Sequence, residues 1–310
     1  MQYDPSFVSF RPILSDEDKS YLHSLSEAYP LARFRTETRN YDEMVVDFVY
    51  TSAKIEGNTY DRIDTANLLR HGITAGGKRY SDAIMLVNLR EGFSHVMGIS
   101  PQDELDREYV CNLHKILMKD LLRPEEQGIV RQIHVDITTT DYTPPDDPLR
   151  LNTELKFLLP EAKKYQDPFE QAIYLHCNLA YLQYFTDGNK RTSRLMQTAA
   201  LIRGNKLPLF FSDTLIDKYV RSTLTYYETG NYKPYIEFFK ENYCLAITHL
   251  LGHEPNKDVE AEAEEYRKRL ADLPKLEQAG GTAYIFWQLA NKAIKEAGGD
   301  PEAIAWWEVE

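Results

Sequence analysis

The sequence predicts an all-α, mainly helical fold carrying one short β-hairpin. Three observations support this. Apolar residues recur at three- and four-residue spacing in segment after segment, which is the pattern of helices with one buried stripe. Strand-like character is confined to residues 129–138. Internal repeats, which would point to a solenoid, are absent.

The elements follow in order. Residues 16–28 (DEDKSYLHSLSEA) open with Asp16 and Glu17, charges that suit the positive end of a helix. Residues 41–55 form a second helix, which stops at Glu56-Gly57-Asn58, where glycine is a natural C-terminal break. Residues 61–70 and 80–97 carry the same periodicity. Residues 104–122 do so too and end before Pro124. In IVRQIHVDIT (129–138), Ile129, Gln132, Val135 and Ile137 sit among β-branched neighbours, and the prolines of residues 141–146 make a turn. This is the hairpin candidate; a loop covering the core is the alternative. Helices resume at 150–159, 167–184, 190–203, 212–227 and 234–251. Residues 252–262 are polar, contain Pro255 and read as a linker. That linker sets off a C-terminal helical appendage (253–310). Trp306 and Trp307 in the appendage either pack back on the body or face a partner.

Composition narrows the function. A chain of 310 residues with 43% hydrophobic content has material for a sizeable core. The net charge of −12 opposes nucleic-acid binding, which needs Lys and Arg to neutralise phosphates, and the acid-rich stretch 260–265 carries no basic recognition helix. Cys111, Cys177 and Cys244 are sparse and form no CxxC, which suits a reducing compartment. No apolar run approaches the ~18 residues of a membrane span. These features together predict a cytoplasmic protein that binds neither membrane nor nucleic acid.

The chemistry concentrates in QYFTDGNKRTSR, residues 183–194. Ile173, Cys177, Ala180 and Tyr184 recur at helical spacing, so the preceding stretch reads as an amphipathic helix. Gly188 and Asn189 tolerate left-handed backbone angles and break it. A new helix starts near Lys190, with Arg191 and Arg194 on neighbouring positions of one face. Open N–H groups at its start attract anions, as does a concave nest around Gly188. The two arginines add charge-assisted hydrogen bonds, and Asp187 supplies a hard oxygen suited to Mg²⁺. This is a polyphosphate–metal site in outline. On residue chemistry alone, a polar helix–turn–helix corner with solvated charges is the alternative.

The segment resembles the Fic family motif, His-x-Phe-x-Asp-Gly-Asn-Gly-Arg-x-x-Arg, at Phe185, Asp187, Gly188, Asn189, Arg191 and Arg194. Residues 52–58 (SAKIEGN) resemble the family's inhibitory motif at Ser52, Glu56 and Gly57. Residues 129–146 resemble its target-aligning flap, with Thr139, Thr140, Asp141 and Tyr142 at the tip. Gly230 and PYIEFF (234–239) resemble the end of the core, so the likeness covers residues 45–250. It implies a further division into an N-terminal helical extension (1–44) and a core (45–252), and transfer of AMP from ATP to a hydroxyl of a target protein. ATP and Mg²⁺ are then the cofactors, and the target is an unidentified protein. Gln183, Asp187, Asn189 and Arg191 take the catalytic positions. Asp187, Gly188, Asn189, Lys190, Arg191 and Arg194 bind nucleotide, and Asp187 holds the metal. Glu56 pairs with Arg194 and keeps the γ-phosphate out, which makes physical sense because carboxylate and phosphate compete for the same guanidinium fork. The inhibitory helix also offers a homodimer surface.

Two departures bear on activity. The family's base histidine falls on Gln183, whose amide cannot take a proton near neutral pH. Loss of a general base costs about 10²–10⁴-fold in rate, while positioning and electrostatics still act. His176 lies two helical turns away, about 10 Å along the axis, and reads as a core residue. Lys190 replaces the motif's second glycine and resembles the death-on-curing toxins, relatives that transfer a phosphoryl group. The family's tyrosines before the Gly230 region, which the resemblance implies as adenine contacts, fall on Val220 and Arg221, and adjacent Tyr219 is the one candidate left. The reading is therefore an adenylyltransferase restrained by Glu56 and slowed at Gln183. The alternatives are a non-catalytic nucleotide-binding regulator and a phosphotransferase.

Overall fold

The computed structural model describes residues 1–137 and 139–252. The predicted appendage, with Trp306 and Trp307, lies outside them. In chain order the helices are α1 (Asp16–Ala28), α2 (Leu31–Thr36), α3 (Thr38–Ile55), α4 (Arg62–His71), α5 (Tyr80–Met97), α6 (Arg107–Met118), α7 (Pro148–Ala162), α8 (Pro168–Leu182), α9 (Asn189–Arg203), α10 (Ile216–Thr229) and α11 (Lys233–Leu250). The mainly helical expectation holds. The short helix α2 and the 3₁₀ turns at Pro5–Val8, Pro124–Glu126 and Asp213–Leu215 are additions the periodicity did not reveal.

Helix starts follow local chemistry. Ser15 and Asp18 form a reciprocal capping box on α1. Asp61, Asp106, Asp147 and Asp167 each accept a first-turn N–H of the helix that follows.

The molecule is built around the antiparallel pair α8 and α9, whose connection holds the motif. Every residue of α8 from Phe169 to Leu182 is buried, so the expected amphipathic helix is instead a central one, covered on all sides. α9, α7 and α10 pack against it. The remaining cover comes from the N-terminal segment. Tyr174 Oη donates to the Val8 carbonyl at 2.6 Å, the Asp4 N–H donates to Tyr181 Oη at 2.7 Å, and Glu170 Oε1 accepts the N–H groups of Ile13 and Leu14 at 2.9 and 3.0 Å. The predicted boundary between residues 44 and 45 falls inside α3. Tyr3, Val8, Leu14, Leu22 and Phe34 share the same hydrophobic core as α8. The N-terminal residues are thus part of the core's wall.

The hairpin is corrected. Among the described residues of 129–146 no ladder forms, and the one bridge pairs Thr143 with Gln2, in parallel sense. The reason is Arg131, which is fully buried. Its Nη1 donates to the Ile133 carbonyl at 2.6 Å and to Asp146 at 3.2 Å, and its Nη2 donates to the Pro145 carbonyl. The carbonyls that a ladder would use face a guanidinium instead, and Pro144 and Pro145 have no N–H to offer. The segment is a loop held by one side chain.

Candidate nucleotide site

The α8–α9 turn takes its shape from three residues. Gln183 ends α8 at φ 50°, in the left-handed region. Gly188 sits at φ 74°, and a Cβ there would lie 2.6 Å from Met118 Sδ. Asn189 closes the loop from inside, accepting the Phe185 N–H and donating to the Phe185 carbonyl, both at 2.8 Å. Gly188 gives α9 no side-chain cap, so the first-turn N–H groups of the helix stay open to an anion.

Asp187, Arg191 and Arg194 converge on this turn. The Asp187 carboxylate is 58% exposed and pairs with Arg191 Nη2 at 2.9 Å. Its other oxygen accepts the Gly188 N–H. Arg191 is buried, and its Nε and Nη1 lack a partner among the described residues. Buried guanidinium donors without acceptors fit an absent anion. One exposed carboxylate beside them fits Mg²⁺, which binds through one or two carboxylates with phosphate and water completing its shell.

Arg194 is fully buried, and the predicted partner meets it. Its Nη2 donates to Glu56 Oε1 at 2.9 Å and to the Ser52 carbonyl at 3.1 Å, and its Nη1 donates to Tyr219 Oη at 3.3 Å. Glu56 caps α3, and Gly57 follows at φ 81°, turning the chain away. Burial pulls the Glu56 carboxyl up, but the cations of Arg194, Lys190 and Arg191 outweigh it and hold the group below the usual glutamate value. Lys190 lies on the first turn of α9, half-buried, and its charge helps keep the Glu56 carboxylate ionised.

Residues 104–201 match the Fic/DOC family. The likeness to a Fic/DOC domain thus falls on the stretch that holds α6 to α9 and the turn between α8 and α9. It is 27% identical over 232 residues to "Protein adenylyltransferase Fic" of Nematostella vectensis, an alignment covering 70% of this chain and 53% of that one. It is 24% identical over 249 residues to "Protein adenylyltransferase fic-1" of Caenorhabditis elegans, covering 78% and 49%. The chain spans about half the length of these curated relatives. Among solved structures, a fragment of C. elegans Fic-1 superposes with a TM-score of 0.64 at 22% identity, covering 76% of this chain and 72% of that chain. A Fic family protein of Desulfovibrio desulfuricans G20 superposes with a TM-score of 0.66 at 18% identity, covering 80% and 78%. These likenesses carry the fold.

The remaining expected residues are placed as follows. Gln183 is 5% exposed; its side-chain amide donates to the Ala180 carbonyl at 2.7 Å, and its own carbonyl accepts Arg131 Nε at 2.8 Å. His176 is a core residue, stacked on Tyr235, with Nδ1 3.4 Å from Ser193 Oγ. Burial pushes its pKa down to about 3, so it stays neutral. Tyr219 is 1% exposed, and its hydroxyl meets Arg194 Nη1.

At the expected flap tip, Thr139 and Asp141 are exposed, and Thr140 Oγ1 donates to Glu228 at 2.7 Å. Tyr142 is corrected. It is 2% exposed, stacks on Tyr181 at 4.4 Å and donates to the Tyr181 carbonyl, so it anchors the loop and cannot align a target. Sequence reasoning missed Arg131 and also His114, a buried imidazole on α6 lying 3.7 Å from the Phe185 ring at an interplanar angle of 8°. Burial lowers the His114 pKa to about 4. Neither carried a local signal, because each lies more than fifty residues before the motif and has a polar residue as its next neighbour.

Proposed function

We propose that this chain is an ATP-binding protein of the adenylyltransferase type, latched by Glu56 and weak in the transfer step. The observation that carries the proposal is the pairing of Glu56 with Arg194 beside unpartnered Arg191 donors. In this reading the N–H groups at the start of α9 hold phosphate oxygens, Arg191 and Arg194 fix their direction, and Asp187 holds Mg²⁺. The metal supplies charge neutralisation of the polyphosphate. Glu56 occupies the guanidinium that the γ-phosphate requires. The names of the curated relatives support AMP as the transferred group.

A second reading, a nucleotide-responsive protein without catalysis, is favoured by Gln183. Its amide is turned back onto Ala180 and has no titratable proton. One experiment separates the two. Calorimetry with ATP·Mg²⁺ on wild type and Glu56→Gly measures the latch, and α-labelled ATP measures transfer. The proposal expects tighter ATP binding in Glu56→Gly together with label on protein. Label that appears only in Glu56→Gly/Gln183→His supports the second reading. Unchanged ATP binding in Glu56→Gly/Arg191→Ala, relative to Glu56→Gly, would remove the site itself.

A further inference from the structure

We infer that His114, a residue outside the motif, is the positioning residue that aims the phosphate nest. The inference rests on the nucleotide reading above. His114 is 0% exposed and lies on α6 behind the α8–α9 turn. Its Nδ1 accepts the Gly128 N–H at 2.8 Å. That contact places the ring proton on Nε2, which donates to the Asp187 carbonyl at 2.9 Å. The ring face lies flat on Phe185. One turn along α6, Met118 leaves no room for a Cβ on Gly188. The helix therefore backs the loop at the two residues where the nest begins.

The consequence follows from peptide geometry. A trans peptide is planar, and its C=O and N–H point in opposite directions. When His114 draws the Asp187 carbonyl toward α6, the Gly188 N–H of the same peptide must face away from α6. There it meets an anionic acceptor, the Asp187 carboxylate. His114 thus sets the direction of an N–H in the nest without touching nucleotide. Gly128 completes the arrangement. It sits at φ 72°, and a Cβ there would lie 2.6 Å from the Cys111 carbonyl, so the backbone that holds Nδ1 is pressed against α6.

The test compares three variants in the Glu56→Gly background. His114→Phe keeps a ring against Phe185 and removes both hydrogen bonds. His114→Gln carries an amide nitrogen where Nε2 stood, whereas the His114→Asn amide is too short to reach Asp187. Calorimetry with ATP·Mg²⁺ should show affinity falling about ten- to a hundredfold in His114→Phe, the loss expected for one misdirected hydrogen bond to a charged group. His114→Gln should recover most of it and His114→Asn should not. Equal affinity in the folded His114→Phe protein and its parent overturns the inference.

If His114→Phe does not fold, the Gln and Asn variants decide, and equal affinities there overturn it as well. The amide resonance of Gly188, followed by NMR without nucleotide, gives a second readout. Both variants lose the ring, but only His114→Gln keeps a donor for the Asp187 carbonyl, so the resonance should move further in His114→Asn than in His114→Gln, and equal shifts sink the inference. Failure of Glu56→Gly itself to bind ATP would instead count against the nucleotide reading, and the Gly188 resonance would still judge His114.

Discussion

Arg194 shows how one residue ties stability to function. It is wholly buried, and Glu56 is its carboxylate partner. Removing one member of a buried pair typically costs about 3–5 kcal/mol, because the other charge is left uncompensated. Glu56→Gly should therefore lower the melting temperature of the nucleotide-free protein while opening the site to ATP. ATP·Mg²⁺ should then raise the melting temperature of the variant by more than it raises that of wild type, since ligand restores the missing negative charge and stabilises by mass action. Thermal unfolding with and without nucleotide checks both halves, and a variant that melts like wild type in both states contradicts the pairing. The two residues stand 138 positions apart, so no periodicity or local spacing reveals them as neighbours. Their pairing was legible only through the resemblance of SAKIEGN and TDGNKRTSR to two known motifs. Gln183 was legible as a departure from the motif, but its left-handed backbone and its inward-turned amide were not.

At the scale of elements, the loop 129–146 is the place where local pattern and tertiary structure part. Its second clip is His134, whose Nδ1 and Nε2 lie 2.7 and 2.8 Å from Asp146 and Asp136. The hydrogen bonds to Asp146 and then Asp136 raise the His134 pKa above its ordinary value. A raised histidine pKa contributes stability that is fully present below about 6.5 and is lost as pH rises through the folded value. The loop should accordingly be held more firmly in mild acid than in mild alkali. An NMR titration should place the His134 midpoint above about 6.5, and Asp146→Asn should lower it. A midpoint that ignores Asp146→Asn refutes the clip.

Periodicity served the helices well, because each carries its own repeating apolar stripe and a start such as the Ser15–Asp18 box of α1 is chemistry local to the sequence. It failed at 129–138 because β-branched residues describe an extended chain equally well whether a strand or a side chain receives its hydrogen bonds. Arg131, 1% exposed, made that choice here. α8 was misread for a related reason. A helix covered on all sides has no polar face, and the cover comes from residues 3–14, far away in sequence.

At the scale of the whole molecule, that N-terminal cover binds the first residues of the chain to the helix that carries the site. Glu170 is the joint. Its Oε1 accepts the N–H groups of both Ile13 and Leu14, and its Oε2 meets Lys19 Nζ at 3.0 Å. Glu170→Ala leaves two backbone donors without an acceptor, at about 1–3 kcal/mol each. The expected loss is therefore roughly 2–6 kcal/mol, a large share of the ~5–15 kcal/mol that holds a domain folded. Glu170→Gln keeps an acceptor oxygen and gives up the charge facing the half-exposed Lys19, so it should lose far less. Tyr3, Val8 and Leu14 belong to the core that also buries Tyr174 and Tyr181. The cover should thus come off with the core in a single transition. Urea unfolding of Glu170→Ala should show a lower midpoint with an unchanged slope. A separate early transition at unchanged main midpoint would instead mark residues 1–14 as a detachable flap, and α8 would then tolerate an exposed face.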